Sequence, residues 1–181
     1  MHDDPVAAIQ RGLEALYRVE SQLDVRDFLL TTAQRDALWP EGRRPHEQLF
    51  VRCSAPDDKD DDGVELALYL DEEVQATLRR HDPRRGVDDR NLGALVLALE
   101  GISHFIYTAV RARAGRPVSA LELELQAEVD KYVTCLLTTE PEAPVSAALR
   151  QRLFADALYE PELDADENRL RSAMSASDLN P

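Results

Sequence analysis

Four ionisable side chains raise the chemical question in this chain. Glu100 and His104 lie four residues apart in LEGISHFIYTA, residues 99–109, a run that is otherwise strongly apolar. If the run is helical, that spacing puts both on one face, with Ser103 and Thr108 close to the same line. A carboxylate beside an imidazole can orient the ring, so that it serves as a metal ligand or general base. Glu124 and Glu128 repeat the four-residue spacing further along. Two such helices packed side by side would bring Glu100, His104, Glu124 and Glu128 together, the materials of a divalent-metal site in a bundle. In that reading His104 is ligand or base, Glu100 orients it, and Glu124 and Glu128 are further ligands or acids. The pattern is neither the Glu-x-x-His of carboxylate-bridged bundles nor HExxH. The plainer reading is a polar cluster inside the core, with Glu100 and His104 paired to each other or to Lys131 and backbone.

Other combinations carry less. Ser103 and His104 are sequence neighbours, diverge on a helix, and cannot form a nucleophile–base pair. Phe105 stands where a GxSxG elbow needs its second glycine. Asp58, Asp60, Asp62 and Gly63 spell the opening of a calcium loop, but Tyr69 occupies the closing position where glutamate is required. A solvated acidic loop is expected there, with weak calcium binding as the alternative. Cys53 and Cys135 match no metal or redox spacing, and MHDDPV lacks the basic start and apolar run of a signal peptide. Reduced thiols in a cytoplasmic protein are the expectation. With seven glycines in the chain, none arranged as a phosphate loop, nucleotide chemistry has no visible basis.

The elements that must position these residues follow from periodicity and caps. Asp4-Pro5 opens a helix over about 5–22, in which Val6, Ile9, Leu13, Leu16 and Leu23 recur at helical spacing. Thr31 with Gln34 forms a capping box for a short helix at about 31–39. Residues 47–54 and 63–70 alternate apolar and polar, as strands with one buried face do. Val64, Leu66, Leu68 and Leu70 face inward on the second, and Leu49, Val51 and Cys53 share a side of the first. The two form a β-hairpin at about 47–70. Helices follow at about 72–81, 89–113 and 120–138, the last opened by Ser119 and Glu122 and expected to bury Leu121, Leu125, Val129, Tyr132 and Leu136. TTEPEAP is a linker, 144–159 is an amphipathic helix, and about 165–177 is a polar, peripheral one. The fold class is α+β, predominantly helical. One domain spans 1–181, with the β-hairpin packed on a helical assembly centred on the antiparallel helical hairpin 89–138.

Composition then limits function. A net charge of −14 leaves no clustered cationic surface for phosphates, so direct nucleic-acid binding is not expected. Residues 92–110 approach the length of a membrane span, but Glu100 and His104 near the middle favour a buried core helix. With no catalytic motif, the expected function is a non-enzymatic adaptor, regulator or complex subunit whose partner is another protein, one with a basic surface. The hairpin edge or helix 144–159 would supply the contact, and the other readings are a metal-binding bundle protein or an acidic mimic of nucleic acid.

Overall fold

The structure, a computed structural model, describes residues 4–40, 44–53 and 64–138. It is predominantly helical with a small mixed sheet. In chain order come α1 (Pro5–Tyr17), a 3-10 turn (Val25–Phe28), β1 (Leu29–Leu30), α2 (Thr32–Leu38), β2 (Glu47–Cys53), β3 (Val64–Leu70), α3 (Glu72–Arg80), α4 (Leu92–Arg113) and α5 (Ala120–Thr138). The segments expected at 144–159 and 165–177, and the acidic loop with Asp58, Asp60 and Asp62, lie outside the described residues.

Local chemistry starts most of these helices. Asp4 accepts a hydrogen bond from the Val6 amide, Asp71 from that of Glu73, and Thr31 with Gln34 closes a reciprocal capping box. Ser119 and Glu122 exchange the same pair of bonds ahead of α5. Two boundaries differ from expectation. α1 stops at Tyr17, not near residue 22, because Arg18 takes a left-handed conformation (φ 54°) and Val19 bonds back to the Glu14 carbonyl. Gln10 then ties down the following loop through the Leu23 carbonyl and the Val25 amide, so Leu23 lies beyond the helix. α4 begins at Leu92 and not at 89, since residues 88–91 form a turn in which the Asp88 carbonyl accepts from the Asn91 and Leu92 amides.

β3 is the middle strand, parallel to β1 and antiparallel to β2, with Leu49 opposite Leu68 and Glu47 opposite Leu70. The short parallel strand β1 was not visible as a strand in the sequence. Leu68 and Leu70 are fully buried against α4. Tyr69, expected on a solvent face, is buried as well, because the Arg35 guanidinium of α2 lies over its ring at 4.3 Å. At the far end of the pair Val51 and Val64 are exposed, contrary to the alternation, because the strands run past the core there.

α4 is the centre of the molecule. Leu95, Ala98, Leu99, Ile102, Phe105 and Ile106 join Val6, Ile9 and Leu13 of α1 and Val74 and Leu78 of α3 in one apolar cluster. Length and hydropathy alone would let α4 cross a membrane, but it is packed as a core helix here. Against the sheet α4 presents Gly101: a Cβ at that position would stand 2.8 Å from the Glu47 carboxylate and 3.0 Å from Leu68 Cδ1. Gly101→Ala is therefore expected to destabilise by about 1–3 kcal/mol through overpacking. That is opposite in sign to the ~1 kcal/mol that alanine contributes in an open helix. Urea denaturation decides it; an increase in stability would show that the Glu47 carboxyl swings clear of α4 at little cost.

Candidate functional site

Between α4 and α5 lies a line of charge. Lys131 Nζ stands 3.2 Å from Glu100 Oε2 and 2.5 Å from Glu128 Oε1, so one ammonium bridges a carboxylate from each helix. Further along, Tyr107 and Arg111 meet Glu122, which makes the two helices antiparallel. Burial on its own would lower the Lys131 pKa, but the charges of Glu100 and Glu128 outweigh it and the pKa rises. Lys131 is therefore held as a cation.

The four residues expected to converge do so only in part. Glu100 and Glu128 meet at Lys131, while His104 is set apart, with its Nε2 3.9 Å from Glu124 Oε1. The Nε2 atom is sealed from solvent and has no hydrogen-bond partner. Burial lowers the His104 pKa, Glu100 opposes that, and Lys131 adds to it. The ring is accordingly poised to be neutral. Among the described residues no three His, Cys, Asp or Glu side chains form a group that could hold a metal ion. The place a cation would take between Glu100 and Glu128 is filled by the lysine.

One member of the cluster escaped the sequence reading. Glu47, at the start of β2, keeps some surface as a residue, yet its Oε2 is shut off from water without a partner. Desolvation, and then the charges of Glu100 and Glu124, push its pKa up to about 8, with Lys131 pulling the other way. The signal was present: Glu47 has the same parity as Leu49 on a period-two strand, hence the same face. A glycine interrupting an apolar helix at 101 marked where that face would be met.

α5 turns the opposite way from expectation. Its buried residues are Ala127, Asp130, Lys131 and Cys135. Leu121 is 62% exposed, Leu125 58% and Val129 50%, with Leu136 and Leu137 exposed too; of the expected stripe only Tyr132 is partly buried against the core. The reason is the polar line of α4, which calls for Lys131 and would be left unpaired against leucines. Asp130 adds a second anchor, accepting from the Tyr17 hydroxyl at 2.5 Å and from Gln126 at 3.0 Å. Desolvation and the Asp130 bond push the Tyr17 phenol up to about 12. A pocket of about 270 Å³ opens beside this contact, lined by Leu13, Ser103, Ile106 and Asp130 among others. Burial also raises the Cys135 thiol to about 11, as expected of an unreactive buried cysteine.

Comparison with known protein families, curated proteins and solved structures finds no match for this chain.

Two outcomes test the cluster. Lys131→Met should lower stability by about 2–3 kcal/mol, below the 3–5 typical of a fully buried pair because Glu100 and Glu128 keep some water contact; a loss under 1 kcal/mol by urea denaturation would mean the bridge is loose. Glu47 gives a pH signature. Its folded pKa lies above its ordinary 4.5, so its contribution is complete below about 4.5 and is lost as pH rises toward about 8. His104 acts in the other direction, with a lowered folded pKa, so its effect falls below its ordinary 6.5. Between pH 6.5 and 8, stability should decline by at most about 1.4 kcal/mol per pH unit, and Glu47→Gln should flatten that decline. Equal slopes in the two proteins would place the Glu47 carboxyl in water.

Proposed function

We propose that this chain is a non-enzymatic cytoplasmic protein-interaction module, an adaptor, regulator or complex subunit, whose contact surface is the outward face of α5. The observation that carries the reading is the exposed stripe Leu121, Leu125, Val129 and Leu136. Contiguous exposed apolar surface of this kind marks contact sites. The spacing is that of a helix laid along another helix. The charged cluster supports the same reading: its lysine is committed to two carboxylates, so it serves to orient α5 more readily than to turn over a substrate. The framework we assign beneath this face is the β-hairpin 47–70 packed on a helical assembly centred on 89–138.

The test is co-purification of the tagged full-length chain from its own host, wild type beside Leu125→Glu/Val129→Glu. At least one partner should be retained by the wild type and reduced about tenfold or more in the variant, at unchanged melting temperature. An identical set of captured proteins for both would overturn the assignment of this face.

A further inference from the structure

A carboxylate on the inward side of α5 lacks a cation. Asp130 is 2% exposed and accepts hydrogen bonds from the Tyr17 hydroxyl and from Gln126, both at Oδ1. Among the described residues no lysine, arginine or histidine forms an ion pair with it. Lys131, its neighbour in sequence, is engaged by Glu100 and Glu128. His104, close enough to feel its charge, is held toward the neutral form by burial. Neutral donors offset only part of the cost of burying a charge, and the rest calls for a partner of opposite sign.

Asp130 lies in the wall of the pocket of about 270 Å³ between α1, α4 and α5. Leu13, Val19, Ile106 and Val110 supply apolar lining, and Tyr17 and Tyr107 add aromatic rings. Arg111 lines it as well, but Glu122 and the Pro117 carbonyl hold its guanidinium, which also lies over the Tyr107 ring at 5.7 Å. Asp130 Oδ2 takes no hydrogen bond from the described residues, and it is not among the polar atoms sealed from water without a partner. It is therefore the oxygen that a ligand can reach. Apolar walls with a few convergent polar groups are how small molecules are held. The volume falls just below the roughly 300–1,000 Å³ of drug-sized sites, so the occupant that fits is a small one.

We propose that this pocket binds a small organic ammonium, an amine on a short apolar body, whose charged nitrogen pairs with Asp130 Oδ2 while the body packs on Leu13, Val19, Ile106 and Val110. A charge-assisted hydrogen bond to Oδ2 separates such a ligand from a neutral molecule of the same shape. An anion of that shape meets a carboxylate of its own sign and an arginine already engaged. The pocket lies behind α5, on the side away from the exposed Leu121, Leu125 and Val129, so this site goes beyond the interaction reading and does not depend on it.

Methyl NMR on the full-length protein at neutral pH, where simple alkylamines are cations, tests this. The probes are benzylamine and 2-phenylethylamine, each beside its alcohol isostere, together with phenylacetate. An acidic surface attracts any amine weakly, so the readout is which methyls move and whether they saturate. In the wild type at least one amine should shift the methyls of Leu13, Val19, Ile106 and Val110 saturably and leave those of Leu121 and Leu125 in place. It should bind at least ~10-fold more tightly than its alcohol, and phenylacetate should move none of these signals. Asp130→Asn, which keeps the shape of the side chain, should bring the amine within ~2-fold of the alcohol. If that variant loses its fold, as the α4 methyls would report, the comparison of amine, alcohol and carboxylate in the wild type decides alone. Equal binding of amine and alcohol, tighter binding of phenylacetate, an amine preference that survives Asp130→Asn, or no saturable shift at the pocket overturns the proposal.

Discussion

Everything distinctive about this structure turns on one ammonium group. Lys131 is buried, and it is bridged to Glu100 on α4 and Glu128 on its own helix. Remove it, and two carboxylates face each other at a helix interface with the Glu47 carboxyl close behind. Such an arrangement does not contribute much net stability, because desolvating three charges offsets most of their attraction. What it supplies is orientation. A helix with apolar residues on one side and a lysine, an aspartate, an alanine and a cysteine on the other would ordinarily bury its leucines. Here α4 offers a polar line that only the opposite side of α5 can satisfy.

The alternative packing shows how strong that selection is. Rolling α5 by half a turn would place Leu121, Leu125 and Val129 against α4, a gain of about 1.5–3 kcal/mol for each side chain fully buried. It would also expose Lys131 and Asp130, leaving Glu100 without its cation and Tyr17 without its acceptor. A part-buried carboxylate such as Glu100, stripped of its partner, costs about 2–3 kcal/mol, and His104 would face hydrocarbon where Glu124 now stands 3.9 Å away. The two terms are of similar size. An outward apolar stripe is tolerable in isolation only on these terms, and the balance shifts decisively once something covers the stripe and recovers its hydrophobic contribution.

That balance explains which parts of the molecule were legible in the sequence. Caps were read correctly at Asp4, Thr31 and Ser119, because a cap is decided by residues within one turn. The apolar face of α4 was legible because Leu95, Ala98, Leu99, Ile102 and Ile106 repeat with the helix and have no competing pattern. The face of α5 was not. Hydrophobic periodicity identifies the apolar side of a helix, and the inference that this side points inward fails when the neighbouring helix carries buried charge. Tyr69 illustrates the same limit on a strand: its alternation marked it as exposed, and Arg35 of α2 closed over it. β1 is two residues long and exists only as a pairing with β3, so no local pattern marks it. The Glu100–Lys131 pairing was among the possibilities read from the sequence, but which acid would meet which base depended on the rotation of α5.

Glu47 completes the cluster. It enters the site from a strand, through the gap that Gly101 leaves in α4, and its carboxyl ends sealed from water beside charges of its own sign. With its pKa pushed up to about 8, it is largely protonated at neutral pH. A neutral Glu47 adds a polar group next to Glu100 without adding a charge, so the single ammonium of Lys131 remains matched to the two carboxylates it touches. Were Glu47 ionised at neutral pH, the same lysine would face a third anion from the sheet side. The balance that holds α5 with its apolar stripe outward would then weaken. Held neutral by burial and by the charges of Glu100 and Glu124, Glu47 thus adds no third anion to the contact between α4 and α5.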